Sequence, residues 1–150
     1  MKSPIELERY FVTDQAVSAR ISFSPEKEIV TRIEEFSVES EVRQIQGTSE
    51  PSEQWEVTVT IKHQPAPETN FPYDFRLTIA GIFKASLTDA KPELVERLMK
   101  INASSILYGM AREIIRANTE RGPWSGVVIP THSFYEPKPE ANKAEETVIE

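Results

Sequence analysis

Along the first half of the chain, apolar and polar residues alternate with a period of two. QWEVTVTIKH places Trp55, Val57, Val59 and Ile61 on one side and Glu56, Thr58, Thr60 and Lys62 on the other. YDFRLTIAGIF repeats the pattern with Tyr73, Phe75, Leu77 and Ile79, and EFSVESEVRQI sets Phe36, Val38, Ser40 and Val42 against charged residues. IELERYFV alternates more weakly, with Ile5, Leu7 and Arg9 on one side and Tyr10 and Val12 on the other. Successive side chains of a strand point to opposite faces, so the pattern predicts four strands, each with one face on a core and one in water. Parallel strands, buried on both faces, read as continuous apolar runs; alternation therefore favours an antiparallel sheet. The intervening GTSEPSE (47–53) and QPAPETNFP (64–72) are polar, contain proline and leave no room for a crossover helix. Neighbouring strands are expected to pair antiparallel.

The period changes after Lys84. Asp89 reads as a helix N-cap, with Pro92 and Glu93 suited to the first turn. Leu94, Leu98 and Ile101, then Leu107, Met110 and Ile114, recur at helical spacing. Gly109 costs this helix about 1 kcal/mol relative to alanine, and Asn102 to Ser105 is either a break between two helices or one helix continuing. Arg121, Gly122 and Pro123 form a stop signal, with Gly122 expected in the left-handed conformation. VVIPTHSF then runs extended. From Glu136 the chain, EPKPEANKAEETVIE, is too polar to contribute a core face, which divides it into a domain over 1–135 and a tail over 136–150. Four strands followed by helix make an α+β layered architecture.

A chain of 150 residues suits one domain with a real core. The absence of cysteine excludes disulfides, thiolate chemistry and cysteine-based metal sites. The start, MKSPIELERYF, lacks a signal-peptide core, and no run approaches the roughly 20 apolar residues of a membrane span. A cytoplasmic protein without membrane insertion is expected. The net charge of −7 argues against nucleic acid as partner, because a polyanion needs a basic face. His63 and His132 are the only histidines, with no carboxylate at a diagnostic spacing; His63 is expected near the surface at a strand end, and no metal or cofactor is expected. Ser104 and Ser105 lack a glycine frame, and Asp14, Asp74 and Asp89 are isolated acids near turns. No catalytic constellation emerges, and the chain is not expected to be an enzyme. It offers aromatic excess instead: Trp55, Phe71, Tyr73, Phe75 and Phe83, most of them expected in the core. Phe71 and Trp124, each beside a proline in a loop, are expected to mark a contact surface.

GIF (81–83), SILYGMAREII (105–115), Arg121 and Gly122, the extended VVIPTHSF and the opening YFVTD (10–14) together resemble the SecB family of export chaperones over residues 4–135. The resemblance implies a four-stranded antiparallel sheet with helices packed on one face, assembled as a dimer of dimers. It implies binding of unfolded or non-native polypeptides in apolar grooves and delivery to the SecA motor through acidic surface residues. Phe71, Trp124, Tyr73 and Trp55 are then the candidate polypeptide-binding residues. Departures accompany the likeness. Gly109 and Met110 stand where the family has a proline and an aromatic, and His132 and Ser133 replace an asparagine region. Pro137 and Pro139 oppose the family's carboxy-terminal helix, and Arg76 stands where SecA-docking members carry a glutamate. The reversal at Arg76 points away from SecA and toward another client, as in family members that serve toxin–antitoxin systems. The alternatives are a small-ligand or hot-dog-like enzymatic oligomer, whose helix comes early in the chain, and an adaptor that uses the fold only to oligomerise.

Overall fold

The computed structural model describes residues 3–45, 54–86 and 91–135. Strands β1 (Ile5–Ala19), β2 (Phe36–Gln44), β3 (Gln54–His63) and β4 (Tyr73–Ala85) form one antiparallel sheet in the order β1-β4-β3-β2. The alternation translates directly in β3 and β4: Trp55, Val57, Val59 and Ile61, with Tyr73, Phe75, Leu77 and Ile79, are buried on one face. β2, β3 and β4 pair with their neighbours in sequence, whereas β1 lies beside β4 rather than beside β2. The connection 20–35 makes this possible. It passes the end of the β3–β4 hairpin, where the Arg20 amide donates to Pro72 O and the Val30 amide to Asn70 O, each at 2.9 Å. The result has the strand order of a Greek key, with the first strand returning beside the fourth.

The weak alternation of β1 has a local cause. Leu7 pairs with Phe83 and Arg9 with Ile82, so Glu8 is an extra residue; Val12 pairs with Ile79 and Asp14 with Thr78, so Thr13 is another. Each bulge shifts the side-chain phase by one. Ile5, Leu7, Tyr10 and Val12 therefore all lie opposite residues of the helix-side face of β4, which corrects the expected division of this segment.

A helix covers that face. It comprises α1 (Pro92–Leu98), a π-helical turn (Met99–Ala103) and α2 (Ser104–Glu120), so the helix continues through Asn102. The N-cap position is Lys91, with no side-chain cap bond; the expected cap, Asp89, lies outside the described residues. The buried row is Val95, Met99, Ala103, Leu107, Ala111, Ile115 and Thr119 rather than the expected Leu94, Leu98, Met110 and Ile114. Its spacing of four exceeds the about 3.6 residues of an α-helical turn, and the wider π turn takes up part of the difference. Gly109 projects into open space, so its only effect on the helix is its own propensity.

The stop at Gly122 works by contact, not by handedness. Among the described residues no glycine has a positive φ, which corrects the left-handed expectation. A Cβ on Gly122 would instead meet the Tyr73 hydroxyl at 2.1 Å. That hydroxyl donates to Thr119 O at 2.9 Å and accepts from the Trp124 amide at 3.1 Å, tying the helix end to the sheet. The chain then turns back along α2. Val127, Ile129 and Phe134 are buried, and Thr119 Oγ1, Arg112 Nε and the Tyr108 hydroxyl bond to Val127 N, Ile129 O and Pro130 O. The tail over 136–150, including the expected absence of a helix at Pro137 and Pro139, lies outside the described residues.

Candidate functional site

Of the aromatic candidates, Trp55 and Tyr73 belong to the core, as their alternation implies. Phe71 is buried as well, at 5% exposure, which corrects its expected place on a contact surface. The cause is a set of polar side chains far from it in sequence. The buried Arg20 guanidinium donates to Thr69 O at 2.8 Å, Ala66 O at 2.7 Å and Phe71 O at 3.3 Å. Glu35 Oε2 accepts from the Ala66 amide at 2.8 Å and the Thr69 hydroxyl at 3.0 Å. Asn70 accepts from the Ser24 amide and donates to Ser24 O and Glu28 O. The loop 64–72 and the connection 20–35 thus hold each other, and Phe71 is carried inward.

His63 lies beneath this network. It is 1% exposed, not at the surface as expected, because its strand turns it into a box of Phe36, Phe71 and Phe75 at ring-centroid distances of 5.7, 4.3 and 5.4 Å. Burial holds its imidazole below the usual histidine pKa, against the opposing pull of the Glu35 charge. Hydrogen bonding from Ala66 holds the Glu35 carboxyl below its own usual value. Trp124 is half-buried: its ring packs edge-on against Phe23 at 5.2 Å and its indole N–H donates to Arg20 O at 3.2 Å.

The locked connection leaves its own aliphatic side chains outside. Ile21 is 98% exposed and Ile33 82%, with Ile29 and Val30 also exposed. Large apolar groups held in water on an ordered segment mark a contact surface more specifically than aromatics in a core. The sequence signal for them was weak, since ISFSPEKEIVTRI has no period to separate inside from outside. Tyr10 and Val12 remain half-exposed on the helix side of the edge strand β1.

A second feature lies at the opposite edge. Val42, Glu93, Glu96, Arg97, Lys100, Ile101 and Phe134 line an open cleft of about 450 Å³ between β2 and the start of the helix. Ser40, a polar residue between Val38 and Val42 in the inward row of β2, meets the Ser104 hydroxyl at 2.5 Å, and its carbonyl accepts from Lys100 Nζ. The uncovered face of the sheet carries Arg76, whose guanidinium makes a two-pronged bond to Asp14. That bond lowers the Asp14 pKa and raises that of Arg76, so the positive charge at this position is largely answered within the chain.

Among the described residues no three of His, Asp or Glu converge on a possible metal site, and His132 is exposed beside Phe134. No helix among them is long and apolar enough to cross a membrane. What the fold presents is a helix-backed antiparallel sheet with apolar surface at its edges and connection. Residues 2–136 match the family model described as preprotein translocase subunit SecB, and the chain belongs to the SecB family. Among solved structures it is similar to the SecB-like chaperone Rv1957 of Mycobacterium tuberculosis in complex with a ChAD peptide from the HigA1 antitoxin Rv1956. That likeness has a TM-score of 0.57 and 12% identity over 90% of this chain and 94% of the other. It is also similar to a protein of unknown function from Streptococcus agalactiae, with a TM-score of 0.50 and 14% identity over 84% and 96% of the two chains. No curated protein matches it in sequence. At 12% and 14% identity, both likenesses are of fold.

Proposed function

We propose that this protein is a SecB-like chaperone that holds unfolded or non-native polypeptides against exposed apolar surface, without catalysis or cofactor. Family membership supports this, as does the fold it shares with a SecB-like chaperone bound to an antitoxin peptide. The observation that carries it is the connection 20–35, where Ile21, Ile29, Val30 and Ile33 are kept in water on a segment fixed by Arg20, Glu35 and Asn70. A rigid apolar surface loses little conformational entropy on binding a client. Trp124, packed edge-on against Phe23, forms the rim of this surface, while Trp55, Phe71 and Tyr73 support it from the core. The protein works as a homo-oligomer, a dimer or tetramer, in which the half-exposed Tyr10 and Val12 of β1 are covered. It acts in the cytoplasm, and residues 136–150 form a tail separate from the domain over 1–135. SecA is a poor partner because Arg76 and its bond to Asp14 replace a free carboxylate; a specific held client suits the surface better than export. The test is suppression of aggregation of a chemically unfolded client. Ile21→Ser with Ile33→Ser should lose protection while oligomeric mass and circular dichroism stay unchanged. Full protection by the variant would move the binding surface elsewhere.

A further inference from the structure

The edge of β2 points to how a client is held. The Ile45 amide donates to Gln54 O, and Glu35 O accepts from the Gln64 amide, so the odd-numbered backbone groups of this strand face β3. Antiparallel pairing alternates, so the backbone groups of Val38, Ser40 and Val42 point outward. β2 is the last strand of the sheet on that side. Among the described residues, the outward groups of Val38 and Val42 have no partner, and the Ser40 carbonyl is taken by Lys100 Nζ. A row of alternating donors and acceptors is complementary to one thing above all, another extended backbone. Lysine is a common guard of such edges, and this one projects from the π turn, a distortion often found at functional sites.

The flanking side chains specify the occupant further. On the helix side, Val42, Ile101 and Phe134 offer apolar contact to an inward-facing side chain, within a cleft whose other walls are Glu93, Glu96, Arg97 and Lys100. On the other side stand Glu39 and Glu41, exposed, with only Thr60 and Thr58 opposite them on β3. A strand added to β2 would be favoured by lysine or arginine across from these carboxylates. We propose that the outer edge of β2 is a strand-addition site for an extended polypeptide segment alternating apolar with basic residues, and that Lys100 is its gatekeeper. Binding displaces the ammonium group from Ser40 O and replaces it with a client amide. The proposal rests on the chaperone function above and adds the mode of capture.

The probe is a soluble peptide of nine residues, the length of β2, alternating valine with lysine around one tryptophan, followed by fluorescence anisotropy on the full chain. N-methylation of the alternate amides that face β2 should abolish binding, and N-methylation in the opposite phase should leave it intact. Lys100→Met should tighten binding about tenfold, the effect of one charge-assisted hydrogen bond no longer broken on binding. A valine–glutamate peptide should bind far more weakly. Equal sensitivity to both methylation phases would overturn strand addition while leaving the chaperone function standing. Unchanged affinity in Lys100→Met would remove the gatekeeper. Pairing of Lys100→Met with itself in place of the peptide, seen as a doubled mass, would replace the client with a second copy of the chain. Failure of the wild type to hold any unfolded protein would instead bring down the chaperone function on which this rests.

Discussion

Gly122 and Gly109 occupy the same helix and its end, yet alanine should act on them with opposite sign. At Gly122 an added Cβ lies 2.1 Å from the Tyr73 hydroxyl oxygen and 2.8 and 2.9 Å from two ring carbons. Tyr73 is 2% exposed and its hydroxyl bonds to Thr119 O, Trp124 O and the Trp124 amide, so it cannot move aside without breaking them. Forced overpacking costs about 1–3 kcal/mol, and each net hydrogen bond lost adds about 1 kcal/mol. Gly122→Ala should therefore cost about 3 kcal/mol, a fall of roughly 6–12 °C in Tm for a domain of this size. At Gly109 nothing lies within 4 Å, and Gly109→Ala should gain about 1 kcal/mol from helix propensity alone. Urea titration monitored by circular dichroism measures both. Tyr73→Phe is the control: it removes the nearest clashing atom, so the double variant with Gly122→Ala should be less destabilised than the sum of the singles. A Gly122→Ala variant within about 0.5 kcal/mol of wild type would refute the contact explanation, since that is the scale of changes far from packed features.

Arg20→Met leaves buried carbonyls of the 64–72 loop without a donor and should cost about 3 kcal/mol; hydrogen exchange at the Phe71 and Val30 amides should rise with it, and unchanged protection there would show that the network does not hold the loop. Because burial lowers the His63 pKa, the folded chain takes up this proton less readily than the unfolded one. Stability should be level above the unfolded value near 6.5 and fall as pH drops below it toward the lowered folded value; His63→Phe should remove that fall, and identical slopes in both proteins would contradict it. Arg76→Glu breaks the bond to Asp14 and restores a carboxylate, so it should strengthen any SecA binding at low salt; no change in a titration against SecA would place docking elsewhere or exclude that partner.

β3 and β4 were legible because one face of each is buried and the other more exposed, and β2 because its inward face is half-buried and its other face exposed, which period two reports directly. β1 was misread in phase because the bulges at Glu8 and Thr13 each add a residue that alternation cannot register. Its place beside β4 was not legible because the 20–35 connection, which has no regular period, gives no hint that it spans the hairpin end. The helix was found, but its buried row was shifted: the π turn changes the repeat within it, and small residues such as Ala103 and Ala111, which carry little hydrophobic signal, belong to the buried row. Phe71 and His63 were expected outside because proline and strand ends usually lie at the surface. Arg20, Glu35 and Asn70 reverse that, and their partners lie 31 to 51 residues away. Ser40 was visible as a polar gap in an apolar row, but its meaning depended on Ser104 and Lys100, on an element that sequence alone does not set beside it.

In the proposed function, the exposed apolar surface recognises polypeptide in its unfolded form. Calorimetric titration of this protein with one client, in its native and in its stably unfolded form and without nucleotide, tests it most directly. Binding of the unfolded form alone is expected, with the negative heat-capacity change of apolar burial. Equal binding of the native form, or no binding of either, would contradict it.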